Sequence, residues 1–208
     1  MDTRRLEAFS DGVFAIAATL LVLDLRLPGP GPAHHSVAYQ LLRAWPEYFA
    51  YVVSFLTIGI MWMNHHTILA HVRRVDRPLL VLNLLLLMVV VAIPFPTALV
   101  AGHLHDAGAA AATVTYGLVM IAMSFGFAGL WLYVVSHAGK LGAGPHEHAL
   151  RGSVPRFTGG LIAYVAGTLV AAFASAVAAL AIFGLLAVYY LFDHLPSPGE
   201  ADAPAAPT

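Results

Sequence analysis

The sequence predicts an all-α integral membrane protein with six transmembrane helices per chain, on three observations. Of its 208 residues, 60% are hydrophobic and 10% charged, and mean hydropathy is +0.80, too apolar for a soluble domain of this size. The apolar residues fall into runs long enough to cross a bilayer, separated by segments rich in proline, glycine and charge. The basic residues then segregate. With six spans, Arg4, Arg5, Arg73, Arg74, Arg77, Lys140, Arg151 and Arg156 share one side and only Arg26 and Arg43 the other. The positive-inside rule makes the first side cytoplasmic, so both termini are expected in the cytoplasm of a multi-pass cell-membrane protein.

The first span covers about 5–25 and is too long for the h-region of a cleavable signal peptide. It stops before the Pro-Gly run 28–32, because proline and alternating glycine cannot continue a helix, and 26–44 is expected to be a loop. Trp45-Pro46-Glu47 places a proline near the first helical position and an acid in the first turn, opening a second span over 46–69. After Arg73 and Arg74, Asp76 and Pro78 form an N-cap region for a third span over 78–100, which Pro94 and Pro96 should kink or end early. A fourth span is expected over 109–135. The 36 residues from Phe157 to Phe192 carry no Asp, Glu, Lys or Arg, too many for one span, so they are divided at Ser175 into 157–173 and 177–193. One membrane domain thus fills 1–195, and 196–208, with four prolines, is a disordered tail.

Several functions are disfavoured at once. A formal charge of -1 offers no basic surface for nucleic acid, and the absence of cysteine removes disulfides, Fe–S clusters and thiolate zinc sites. Only Asp11 is a carboxylate deep in a span, so no paired acid exists for an intramembrane enzyme. Eleven histidines invite a divalent-metal transporter through His34/His35, His103/His105 or His146/His148. All three pairs fall in loops without a carboxylate cluster, and no metal or cofactor is expected.

Asp11, Asn83, His65 and His66 each lie roughly 9 to 12 Å from a basic residue marking the cytoplasmic surface, at about 1.5 Å per helical residue. They share one layer. A carboxylate in hydrocarbon needs donors, and Ser10, the histidine rings, Trp62 and Asn83 supply them at that depth, with Arg5 below. A polar cluster tying Asp11 to the second and third spans is expected. His65 and His66, about 100° apart on a helix, are poorly placed to chelate one ion together. On the first span Ile16, Leu20 and Leu23 form one stripe, flanked by Thr19, with Asp11 about 140° away. Periodicity leaves open whether that stripe faces lipid or other subunits.

Arg5-x-x-x-Phe9-Ser10-Asp11 and the following GVFAIAATLLVLDL match the signature of the transmembrane protein 175 family of potassium channels. Trp62-x-Asn64-His65-His66, Asp76-x-x-x-Leu80-x-x-Asn83 and Pro94-Phe95-Pro96-Thr97 also resemble it. The resemblance covers the first three spans closely, and one signature per chain is similar to the prokaryotic single-repeat branch. It implies a homotetramer whose four first helices line a central pore, with no carbonyl selectivity filter. Carried over by position, Ile16 is the narrowest ring, Leu20 and Leu23 continue it, and Thr19 aids potassium discrimination. Arg5, Phe9, Ser10 and Asp11 are implied to pack against Trp62, His65, His66 and Asn83. The expected function is a potassium-preferring cation channel permeated by K⁺. A proton-conducting channel and a histidine-dependent metal transporter stand as alternatives.

Overall fold

The structure is a computed structural model and describes residues 3–25, 36–142 and 154–192. Those residues are helical, joined by turns, and contain no strand. The segments with His34/His35, His146/His148, Arg26 and Arg151, and the tail 196–208, lie outside the described residues.

Helix α1, Thr3–Leu20, tightens into a 3₁₀ turn over Leu21–Asp24. Leu6, Ser10, Phe14, Ala17 and Leu21 are its buried positions, spaced three and four residues apart as one helix face requires. Within the region read from sequence as a loop over 26–44 the structure has a short helix α2, Val37–Arg43, started by Ser36, whose Oγ accepts from the Tyr39 N–H at 3.4 Å. Serine is a favoured N-cap, and Ser36 opens this helix after the breaker-rich stretch that dominates the sequence reading.

Helix α3, Trp45–Ala70, runs 26 residues with Pro46 in its first turn. Helix α4, Arg77–Ala92, begins at Asp76, whose carboxylate accepts from the Leu79 N–H at 3.1 Å. Pro94 has no N–H to continue that ladder, so the chain tightens, with the Ile93 N–H on the Val90 carbonyl at 3.1 Å, and resumes as α5, Pro94–His103. Helices α6, Ala109–Ser136, and α7, Ala138–Leu141, follow, and Gly142 ends the hook at φ +68°. Last come α8, Val154–Phe173, and α9, Ala176–Phe192, with Ser175 Oγ accepting from the Ala178 N–H at 3.3 Å.

Among the described residues four helices are long and apolar enough to cross a membrane: Thr3–Leu23, Trp45–Ala70, Arg77–His103 and Ala109–Ser136. The apolar stretches Gly159–Phe173 and Ala176–Phe192 are shorter. Helix α6 is the hub, touching α4, α5, α8 and α9, whereas α1 lies at one side against α3 and α4. The interior is mostly apolar, built on Ile58, Leu86, Met120, Leu130, Trp131 and Phe183, with a few buried polar side chains among them.

Lipid tails are as apolar as leucine, so close backbone approach must hold these helices together. At Gly117 an added Cβ would lie 3.0 Å from the Thr168 Cβ, and at Gly167 it would lie 3.1 Å from the Phe183 Cδ1. Gly117→Ala is therefore expected to cost about 1–3 kcal/mol by overpacking, read as a lower thermal midpoint of the purified protein. Adding Thr168→Ala should recover most of the loss, and an unshifted single variant would show that α6 and α8 do not approach this closely.

Candidate functional site

Helix α1 has two unlike faces. Its buried seam meets α3 and α4, while Ile16, Thr19, Leu20 and Leu23 are left uncovered by the rest of the chain. Ile16 is 58% and Leu23 66% exposed, high values for large aliphatic side chains on a helix packed along its opposite side. The Thr19 hydroxyl donates to the Ile16 carbonyl at 2.9 Å. That bond uses its only proton and leaves oxygen lone pairs free on the uncovered face.

Behind this face is a directed chain of hydrogen bonds. His65 Nε2 lies 2.6 Å from Asn83 Oδ1, Asn83 Nδ2 donates to Ser10 Oγ at 3.1 Å, and Ser10 Oγ donates to the Leu6 carbonyl at 2.9 Å. Because an amide oxygen can only accept, Nε2 carries the proton. Ser10, His65 and Asn83 are fully buried, and the Phe14 ring packs on His65 with centroids 5.3 Å apart. One residue further on, Asp11 is half-buried and accepts from the Trp62 indole N–H at 2.8 Å.

The structure thus divides what the sequence suggested as one cluster around Asp11. Ser10, not Asp11, reaches the third span, and Asp11 bonds to Trp62 of the second. A 100° step between successive residues turns Ser10 into the seam and leaves Asp11 at its edge. His66 is exposed, one turn along α3 from Trp62, with its ring 6.3 Å from that of Trp62. Arg5 and Phe9 are exposed, and among the described residues Arg5 makes no ion pair with Asp11.

Two further polar sets join residues distant in sequence. Ser54 Oγ lies 2.8 Å from Thr97 Oγ1 and 3.3 Å from the Tyr116 hydroxyl, all buried, joining α3, α5 and α6. At the end of the bundle bearing Arg73 and Arg74, the Asp76 carboxylate accepts from the Tyr133 hydroxyl at 2.6 Å and from Lys140 Nζ at 2.7 Å. The Lys140 ammonium and the Tyr133 hydroxyl hold the Asp76 carboxyl down at about 2, and Asp76 in turn raises Lys140. These partners are 57 and 64 residues from Asp76 in sequence, so no local pattern could announce them.

Among the described residues, His103 and His105 have separate partners. His103 Nδ1 bonds to the Leu99 carbonyl at 3.0 Å and His105 sits against the Trp45 ring. Among the described residues no group of three histidine, aspartate or glutamate side chains is placed to hold a metal ion.

A potassium channel from Streptomyces collinus is 47% identical over 209 residues, covering 98% of this chain and 99% of that protein. Residues 5–94 match the family described as endosomal/lysosomal potassium channel TMEM175. The chain belongs to the TMEM175 family. The crystal structure of a lysosomal potassium-selective channel TMEM175 homolog from Chamaesiphon minutus has the same fold, with a TM-score of 0.82 at 33% identity over 97% of this chain and 98% of that one. The endosomal/lysosomal proton channel TMEM175 of Mus musculus is 33% identical over 147 residues, covering 66% of this chain and 29% of that protein. The matched region of the TMEM175 family thus takes in α1, α3 and α4, the helices that carry the hydrogen-bond chain.

Two measurements test this geometry. His65→Ala leaves Asn83 buried with an unmet acceptor and should cost about 1–3 kcal/mol. Asn83→Ala should cost a similar amount, and the double variant clearly less than the sum, as a double-mutant cycle on thermal stability would read. Additive losses would mean that the two side chains act apart. Asp76 supplies a pH signature. Its carboxyl falls from an ordinary 3.8 to about 2 on folding, so its contribution is complete above about pH 4 and is lost as pH falls toward about 2. The stability gap between wild type and Asp76→Asn should close across that window, and a gap independent of pH there would overturn the ion pair.

Proposed function

We propose that the chain is a potassium-preferring cation channel, assembled as a homotetramer in which four copies of α1 surround the pore. Ile16 forms the narrowest ring, Leu20 and Leu23 continue it, and Thr19 presents its oxygen beside the stripe. The observation that carries this reading is the pairing of an uncovered aliphatic stripe on α1 with a fully hydrogen-bonded seam on the opposite face. The seam fixes which way the stripe points. Potassium channel is also the name of the Streptomyces relative.

In the assembled protein each chain contributes six spans, with α8 and α9 as the fifth and sixth. Helix α9 has 17 residues, at the short end of what crosses a hydrocarbon core of about 30 Å. The turns bearing Arg73, Arg74 and Lys140 then face the cytoplasm, as does the start of α1.

A ring of aliphatic side chains offers a cation no ligand. It conducts when wide enough for a partly hydrated ion and empties of water when narrow, so the same ring is barrier and gate. K⁺ holds its water less tightly than Na⁺ and loses less in shedding part of it, which gives a modest preference for potassium without a carbonyl filter.

Proton conduction is the second reading, favoured by the name of the murine relative. The buried hydrogen bonds argue against a route through them, because Asn83 interposes an amide and the chain ends on the Leu6 carbonyl, neither of which passes a proton onward. After reconstitution into liposomes, the reversal potential should follow the K⁺ gradient closely, the Na⁺ gradient weakly and the pH gradient least. Control by the pH gradient would favour the second reading, and the absence of any ion current would sink both. Ile16→Asn should raise resting K⁺ flux and blunt the K⁺ over Na⁺ preference; unchanged flux and ratio would remove Ile16 as the constriction.

A further inference from the structure

The turn between α3 and α4 carries Arg73, Arg74 and Arg77 within five positions, all exposed. The acid among them is Asp76, and its carboxylate is already committed to the Leu79 N–H, the Tyr133 hydroxyl and Lys140 Nζ. Among the described residues the three guanidiniums take part in no ion pair. Among the described residues their positive charge is therefore not cancelled by a partnered acid.

The turn is also held in place. The Leu141 carbonyl accepts both the Arg73 and the Arg74 backbone N–H at 3.0 Å, and Thr3 Oγ1 donates to the Arg73 carbonyl at 3.3 Å. At Gly142 a side chain would meet the Arg73 Cβ at 3.3 Å, so the α7 hook lies directly against the turn. A backbone fixed from two directions loses little freedom when its side chains close on a ligand. Arginine's planar fork can meet two phosphate oxygens at once.

We propose that Arg73, Arg74 and Arg77 form a binding site for the phosphate of an anionic phospholipid headgroup. The placement favours lipid over a soluble phosphate, because the turn joins the ends of two membrane-crossing helices and so sits at headgroup level. Thr3 brings the start of α1 to the same place, so an occupied site braces the foot of the helix with the uncovered stripe. The site rests on the membrane placement of the family and is independent of which ion the protein conducts.

Native mass spectrometry of the full chain in detergent, titrated with phosphatidylglycerol, tests the site without any current measurement. Phosphatidylglycerol should bind in preference to phosphatidylcholine, and inorganic phosphate at matched concentration should not displace it. Each basic residue near a membrane surface is worth about fivefold in affinity. Arg74→Gln should then weaken binding about fivefold and the triple change Arg73→Gln, Arg74→Gln, Arg77→Gln about a hundredfold. Arg43→Gln removes the same unit charge at the other end of the 26-residue α3 and should leave affinity unchanged. Retained binding in Arg74→Gln, an equal loss in Arg43→Gln, or ready displacement by inorganic phosphate would each overturn the proposal.

Discussion

The hydrogen bonds from His65 through Asn83 to Ser10 determine how α1 stands in the molecule. In lipid there is no hydrophobic gain from turning one apolar face inward rather than another, so an all-aliphatic helix would have a poorly defined rotation. A buried amide left unpaired in hydrocarbon is costly enough to remove that freedom. Asn83 can satisfy His65 and Ser10 together only when α1 presents Ser10 to α3 and α4. Phe14, Ala17 and Leu21 then follow into the seam, and Ile16, Leu20 and Leu23 are turned away from it.

The remaining helices give this anchor a rigid base. Asn83 is on α4, which the Asp76 cap starts at a fixed residue and the Pro94 break ends at another. His65 is on α3, tied to α5 and α6 by the hydroxyls of Ser54, Thr97 and Tyr116 at a level about 16 Å further along. The two buried polar layers therefore clamp α3 at separate depths, and a helix clamped at two depths resists both tilt and rotation. Glycines at 117 and 167 bring α8 close behind them.

The parts of this arrangement legible in the sequence were those with a local signature. Hydropathy exposes a helix of spanning length, a proline without an N–H marks the break in the third span, and Asp76 before Arg77-Pro78 announces a cap. Depth counting from the arginines brings Asp11, His65, His66 and Asn83 to one level, with Ser10 among the donors there, because rise per residue is nearly constant. It could not say which of Ser10 and Asp11 faces inward, since that depends on the packing of α1 against two helices whose own rotation was unknown. The bonds from Asp76 to Tyr133 and Lys140, and from Ser54 to Thr97 and Tyr116, join residues brought together only by tertiary packing. Helix α2 was hidden for a different reason: its start at Ser36 follows a run of breakers that dominates any reading of the segment.

Dividing the polar residues between two partners also keeps the carboxylate out of the buried anchor. Had Asp11 taken the buried position, an ionised carboxylate would have to be desolvated among α1, α3 and α4, at a cost of several kcal/mol before any pairing. Serine and asparagine make the same connection without a carboxylate, the Asn83 amide donating to Ser10 and the Ser10 hydroxyl to the Leu6 carbonyl. Asp11 is left at the seam's edge with a single indole donor from Trp62, itself 43% exposed, so that charge keeps access to whatever lies beyond the chain. The anchor can then hold α1 in one rotation while carrying no charge itself. The aliphatic face of Ile16, Leu20 and Leu23 is left uncovered, with no polar group of the anchor on it.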